Sequence, residues 1–474
     1  MNKIIIIDLV LFLLFCVFVS LFLYKKRKNL KREGLIFLYK TKIGIEFMNR
    51  FSNKHKKLLQ KMSFFIIGIS ILLMIAVILL VLTQAYLYVT NPKEVIEKTE
   101  GAPPIAPVIP YFPQLFGMKS FFPNFYFVYF IIAFSIVALF HEMAHGLYMV
   151  LYKVKIKSTG FLFLGPILGA FVEQDDKEFR KKKNNEQMAT LGAGVFANTL
   201  LAIFFAVILM IFFFSFYKPS GYLIIPSAVD ISPNNITEIR ELENNLTLIK
   251  SEDGRKYLAN TDFLNAIKEN LSDHEKIIVL LYSPVVINNL SGYITEIDGK
   301  KIRGSSDIKE ALKEKKPGEE VIIKTEINNQ EKTNKVKLEE HPLNSSMGFI
   351  GLRIVTEEEI RILVANEKNP IKRIIMKIGS IKNPFVLYKS SINNDLAEYI
   401  YYLMWWCMMI NFFVALFNML PFGIFDGGRF SYLLILSIVK SKEKTEKIHK
   451  ILSSTMILSF LLIILSWLFG RLVF

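Results

Sequence analysis

Cysteine is nearly missing from this chain: Cys16 and Cys407 are the only two in 474 residues. Both lie in apolar stretches, which excludes a disulfide scaffold and a thiolate zinc site. Histidine is scarce as well, with six. Four of these, His55, His274, His341 and His449, stand singly and read as surface or loop residues. Asp and Glu (42) are outnumbered by Lys and Arg (58), giving a formal net charge of +16. The basic residues border apolar runs, so the excess reads as membrane topology rather than nucleic-acid binding. The chain has no internal repeat, which speaks against a transporter built from related halves. The first apolar run has no basic stretch before it, only Lys3 and then Asp8, and no small-residue cleavage site after it. That pattern predicts an uncleaved membrane helix rather than a signal peptide.

What the chain does have is apolar bulk: 52% hydrophobic residues, including 41 Phe. Runs at 4–24, 63–88, 124–150, 188–214, 397–419 and 451–470 are each long enough to span a bilayer. The expected fold is a polytopic α-helical membrane protein with about six transmembrane helices. A shorter run, 430–439, is too short to cross and is expected to extend a helix at the membrane edge. Lys and Arg number 13 in 25–61, three in 89–123, eight in 151–186 and five in 440–450. The alternation predicts 25–61, 151–186 and 420–450 on the cytoplasmic side, with 89–123 and 215–396 outside.

Four segments follow: 1–61, a first helix and basic loop; 62–214, the first half of a membrane core; 215–396, a polar insertion; and 397–474, the second half of the core. Within the insertion, "GYITEIDGKKI" (292–302), a helical stretch at 306–316 and "PGEEVIIKTEI" (317–327) predict a small α+β domain. The stretch 222–284 before it is less regular, leaving open a degenerate, circularly arranged or split copy. In the core, "KIKSTGFLFLGPILGAFVE" (155–173) is apolar but broken by Gly160, Gly165, Pro166 and Gly169. Short strands entering from the cytoplasmic side are expected there, with their backbone shielded from lipid.

The chemistry-bearing residues begin at "HEMAH" (141–145). On a helix, residues four apart share a face, so His141 and His145 can offer ring nitrogens to one tetrahedral Zn2+. Glu142 directly follows the first ligand and is placed to take a proton from a water on the metal. The plain alternative is a polar helix face inside a bundle, but ionisable residues at membrane depth are expensive and mark function. Two histidines are too few for a catalytic site. Of the acids near membrane depth, Asp426 in "FNMLPFGIFDGGRF" (417–430) is the best third ligand, with a helix cap as its alternative.

On these motifs the chain resembles the site-2 protease family of intramembrane zinc metalloproteases. HEMAH matches that family's first motif, and LPFGIFDGGR (420–429) looks like its second, which implies Asp426 as third ligand. "GFLFLGPILGAFVE" (160–173) is similar to the segment following the first motif in archaeal and animal members. "GAGVFAN" (192–198) resembles its small-residue and Asn motif, implying that Asn198 positions substrate or stabilises an oxyanion; a helix-packing hydrogen bond is the alternative. Asn418 and Pro421, with Gly165 and Pro166 on the broken apolar segment, are implied to hold an extended substrate. For Asn418, helix-end capping is the alternative. Phe422-Gly423-Ile424 departs from the family's more proline-rich form. Residues 285–345 look like the PDZ-like domain that the family often inserts.

The resemblance implies one Zn2+ per chain and hydrolysis of peptide bonds within or near transmembrane segments of membrane-tethered proteins. It places the active site near the cytoplasmic side and the PDZ-like domain outside. The partners it implies are transmembrane protein substrates and the lipid bilayer. The competing readings are a non-catalytic membrane scaffold or transporter with a metal-binding helix pair, and a PDZ-type binding protein.

Overall fold

Backbone N–H and C=O groups have no water to bond in lipid, so an apolar run of twenty residues or more satisfies them internally, as helix. The computed structural model describes residues 3–34, 36–98, 103–104, 109–111, 123–165, 167–242, 245–267, 276–341, 344–366, 382–423 and 425–473. The chain divides into two units, Met1–Phe213 with Asp395–Phe474, and Phe214–Asn394.

The first unit opens with α1 (Lys3–Lys26), β1 (Leu30–Glu33), β2 (Ile36–Thr41), α2 (Ile45–Lys54), α3 (Lys56–Thr90) and α4 (Pro92–Lys98). It continues with α5 (Phe127–Leu151), β3 (Ile156–Leu164), β4 (Ile167–Gln174), α6 (Asp176–Arg180) and α7 (Asn184–Phe216). The second unit holds β5 (Tyr217–Leu223), β6 (Ala228–Ile231), β7 (Ile236–Glu241), β8 (Leu246–Ser251), β9 (Lys256–Asn260), α8 (Thr261–Ile267) and β10 (Ile277–Leu281). Then come α9 (Pro284–Ile287), β11 (Tyr293–Ile297), β12 (Lys300–Lys301), α10 (Ser305–Leu312), β13 (Glu320–Ile327), β14 (Gln330–Lys337), β15 (Glu339–His341), β16 (Asn344–Phe349), α11 (Glu357–Asn366) and β17 (Val386–Ser390). The chain returns to the first unit through α12 (Asn394–Phe417), α13 (Asp426–Val439) and α14 (Lys442–Val473).

Among the described residues, six helices are long and apolar enough to cross a membrane: α1, α3, α5, α7, α12 and α14. They coincide with the six expected spans. The short run 430–439 lies in α13, which starts at Asp426. Behind the HEMAH helix, Met149 of α5, Met188 and Val195 of α7, Ala415 of α12 and Phe430 of α13 pack in one core. Small residues bring the helices close. A Cβ on Gly192 would strike Ser70 and Ile66 of α3, and one on Gly146 would strike Met48 of α2.

The broken segment forms strands, as its Gly and Pro predict. β1, β2, β3 and β4 make an antiparallel sheet in that order, leaving β4 at one edge. β3 and β4 turn at Gly165, whose φ of +57° suits glycine. Pro166 lies outside the described residues. Across the sheet, Lys40 Nζ pairs with Glu173 Oε2 at 2.6 Å.

The second unit contains two larger sheets. In one, the order is β14-β13-β11-β5-β17, with β12 pairing β11. Its turns use residues at positive φ, Asp298-Gly299 and Asn328-Asn329, as two-residue hairpins require. Ile294, Ile297, Val321 and Ile323 pack beneath Ile308 and Leu312 of α10. The other sheet runs β6-β10-β9-β8-β7, with Ile249, Tyr257, Val279 and Leu264 in a separate core. The domain expected at 285–345 is thus completed by β5 and β17, far away in sequence. The irregular 222–284 stretch contributes β5's last two residues and then a sheet of its own.

Asp8, which the sequence shows only as a charge near the start of the first apolar run, has a structural task. It is 2% exposed, and its two carboxyl oxygens accept from Phe127 N at 2.8 Å and Val128 N at 3.0 Å. The Tyr111 hydroxyl also donates to it. Tyr126, the residue preceding α5, supplies no side-chain cap. α1 therefore caps α5 from outside, satisfying two of the N–H groups that its first turn leaves open. Phe12 and Phe15 of α1 pack on the Phe127 ring at 4.5 and 5.5 Å. Asp8→Ala is expected to destabilise the detergent-solubilised protein by about 1–3 kcal/mol, read as a lower thermal midpoint. Phe18→Ala, at a site 65% exposed on the same helix, should leave the midpoint unchanged. Equal midpoints for the two variants would refute the cap.

Candidate metal centre

His141 and His145 lie one turn apart on α5, both buried. Their Nε2 atoms approach to 3.1 Å. Asp426 Oδ2, from the first residue of α13, stands 3.3 Å from each. These three residues form a group able to hold a metal ion. Donors on a tetrahedral ion with bonds of about 2.0–2.1 Å lie about 3.3 Å apart. The three measured separations match that edge length.

The outer ring nitrogens decide whether the inner ones are free to ligate. His145 Nδ1 lies 2.7 Å from the Thr190 carbonyl on α7. A carbonyl only accepts, so Nδ1 carries the proton and Nε2 keeps its lone pair. The amide nitrogen Nδ2 of Asn198 stands 3.0 Å from His141 Nδ1. Asn198 is fully buried, and its Oδ1 has no partner. A half-turn of the amide gives Oδ1 the ring's Nδ1–H to accept and leaves His141 Nε2 for a metal. The His145 orientation, and that of His141 after the half-turn, are what a metal site built from two histidines and a carboxylate requires.

α7 also shapes the third wall. A Cβ on Gly194 would lie 2.6 Å from His145 Nε2 and 2.7 Å from His141 Nδ1. Only glycine leaves room for both rings. Gly194 and Asn198, four residues apart, present one face of α7 to the two imidazoles.

Asp426 is delivered by a loop folded tightly on itself. Gly427 N donates to Asn418 O at 2.7 Å, and Gly428 N to Phe425 O at 3.0 Å. A side chain on either glycine would strike the backbone of Met419 or Phe422. Arg429 fixes the start of α13, donating to Gln187 Oε1 at 3.2 Å and stacking 4.4 Å over the Phe179 ring.

The remaining expected residues fall in three places. Glu142 Oε2 accepts from Val172 N of β4 at 2.9 Å, joining the residue after the first histidine to the sheet edge. Asn418 and Pro421 lie in the Asp426 loop, Asn418 half-buried and Pro421 buried. Gly165 is exposed at the hairpin turn. It sits seven residues from Val172, about 23 Å along a strand. Thr190, Gly194 and Val172 were not foreseen. The spacing of Gly194 one turn before Asn198 was the one available signal.

Residues 129–463 match the sequence profile of the family described as Peptidase family M50, well over half of the chain. The chain belongs to peptidase family M50. It is also similar to an uncharacterized protein of Methanocaldococcus jannaschii. That relative is 25% identical over 425 residues, covering 88% of this chain and 82% of the relative.

For this M50 member, Gly194→Ala separates helix propensity from site shape. Alanine favours a helix interior by about 1 kcal/mol over glycine. The added methyl also pushes both imidazoles from their positions. The expected result is a folded protein with at least tenfold weaker divalent-metal binding, measured as metal per chain after dialysis. Unchanged metal content in a folded variant would refute the packing argument.

Proposed function

We propose that this protein is an intramembrane zinc metalloprotease of the site-2 protease kind, hydrolysing peptide bonds within or near transmembrane segments of membrane-tethered proteins. The observation carrying the proposal is the 3.1–3.3 Å triangle of His141, His145 and Asp426 donors on apolar helices, with Glu142 beside it. His141, His145 and Asp426 would hold one Zn2+ per chain. When bound, zinc supplies acidity to a coordinated water and polarises a carbonyl.

The chain's own residues do the rest. Glu142 takes a proton from the attacking water and returns it to the leaving nitrogen. Val172 N–H occupies Glu142 Oε2, which leaves Oε1 to handle the proton. Thr190 O holds His145 in the tautomer that favours ligation, and Asn198 with its amide turned does the same for His141, so Asn198 acts on a ligand in this reading rather than on an oxyanion. A substrate helix hides its amides in its own hydrogen bonds and must unwind first. The outer edge of β4 offers backbone partners to an unwound strand, and Asn418 and Pro421 line the loop beside Asp426. The Lys and Arg alternation supports a site near the cytoplasmic side with the insertion outside.

The insertion reads as PDZ-like. Between α10 and the strand β16, a groove of about 610 Å3 is lined by Ile308, Leu312, Phe349 and Ile350, with Lys309 and His341 also on its wall. A groove between a helix and a strand edge suits an extended peptide, and an external domain of this kind would exclude substrates with large ectodomains.

The deciding experiment uses the purified full-length chain in liposomes with a synthetic transmembrane-helix substrate. Wild type should bind one zinc and cut. Glu142→Gln should keep zinc and lose at least about 100-fold in rate. Asp426→Ala should lose both. A wild type that takes up no zinc when supplied overturns the metalloprotease reading and favours the scaffold. Equal cutting by Glu142→Gln overturns the role of the glutamate.

A further inference from the structure

The last membrane helix, α14, reaches the segment that carries Asp426 at two points. His449 Nε2 lies 2.9 Å from Gly428 O, a carbonyl that also takes the Ser431 hydroxyl. One turn further along α14, Ser453 Oγ donates to Pro421 O at 2.6 Å. His449 and Ser453 are four residues apart and share a helix face. Their two acceptors bracket Asp426: Pro421 five residues before it, Gly428 two residues after. The same face closes over the loop apolarly. Met456 is fully buried and shares a core with Leu416 and Leu420, and the Phe422 ring meets Phe460 edge-on at 6.3 Å.

We propose that His449 and Ser453 are positioning residues for the metal centre, forming a two-point clasp by which α14 sets the place of Asp426 and the retention of the metal. The inference rests on the zinc site proposed above. Of the three ligands, His141 and His145 ride on one continuous helix and are braced by α7. Asp426 alone arrives on a segment that breaks after Phe417 and restarts at Asp426. Its own hydrogen bonds, Gly427 N to Asn418 O and Gly428 N to Phe425 O, fold the loop, and Arg429 ties its far end to Gln187 of α7. His449 and Ser453 supply the anchor on the opposite, α14 side, on both flanks of Asp426. Groups that orient a metal ligand from behind alter affinity by about 10- to 100-fold when removed. The imidazole donates from Nε2 whether neutral or protonated, because a carbonyl can only accept. The clasp therefore needs a donor, not a charge.

The test is zinc release from the purified, zinc-loaded full-length protein into a chromogenic chelator, together with the visible spectrum of the cobalt-substituted form. His449→Phe keeps the ring and removes the donor; Ser453→Ala removes the hydroxyl. Each should speed release about tenfold or more and change the cobalt bands, and the double variant should exceed either. His449→Gln and Ser453→Thr, which keep a donor, should return release toward wild type. Thr445→Val is the control: Thr445 is fully buried on the same helix but bonds only to Ser441 O of its own turn. It should lower thermal stability without changing release. If His449→Phe and Ser453→Ala lower the thermal midpoint yet release zinc at the wild-type rate, with an unchanged cobalt spectrum, the residues only fill carbonyl valences and the clasp is overturned. The same conclusion follows if the Gln and Thr variants release as fast as Phe and Ala. A wild type that binds neither zinc nor cobalt overturns the metal-centre reading and the clasp together.

Discussion

An imidazole inside an apolar helix bundle cannot leave its second nitrogen unpaired. That requirement organises the core of this protein. Two rings on α5 can both turn a lone pair inward only if something behind each accepts a proton. α7 meets the need with a backbone carbonyl at Thr190, and behind the second ring it holds the Asn198 amide, whose oxygen accepts once the amide is turned. It must come close to do so, and Gly194 is what lets it. Gly192, two residues earlier, lets the same helix press on α3. The close packing of α3, α5 and α7 and the chemistry at their meeting point are one arrangement, because a looser bundle would leave ring protons without acceptors.

The same accounting governs the ends of the helices. α5 begins with N–H groups that no residue of its own cap satisfies, and a carboxyl from α1 takes them. The break between α12 and α13 exposes carbonyls where a continuous helix would have hidden them. Asn418 O is taken by Gly427, Phe425 O by Gly428, and Pro421 O by a serine on α14. Irregular backbone near the membrane persists here because other helices complete it. The break is also what frees Asp426 to point at the two histidines rather than continue a helical row.

Some of this was legible beforehand, and the reasons differ by feature. Six spans could be read because length and apolarity alone decide a membrane helix. The hairpin at 155–173 could be read because glycine and proline rule out the alternative. His141 and His145 declare their shared face by spacing. Asp426 was reached by elimination, from the scarcity of acids near that depth, and by resemblance. What could not be read was any pairing across the bundle. Asp8 serves α5 from 119 positions away, and no periodicity encodes that. His449, a single histidine in a polar stretch, read as a surface residue; it faces inward because Gly428 offers it a carbonyl. In the insertion, local hairpins followed from their turns, but β5 sits between β11 and β17, strands that lie far along the chain.

That placement of β5 has a mechanical consequence. The chain enters the insertion along β5 and leaves along β17, and the two are antiparallel neighbours, with Tyr217 opposite Ser390 and Lys218 opposite Lys389. Entry and exit are therefore one strand spacing apart, about 5 Å. The closure of a very long excursion is settled at this neck, and its entropic cost grows only with the logarithm of the excursion's length. Such a neck tolerates growth: the five-stranded β6–β10 sheet can be spliced in directly after β5 without spreading the two strands that lead back to the bundle. It also makes β17 the last strand made for the insertion's largest sheet, an edge added to a β5 that β11 already pairs on its other side.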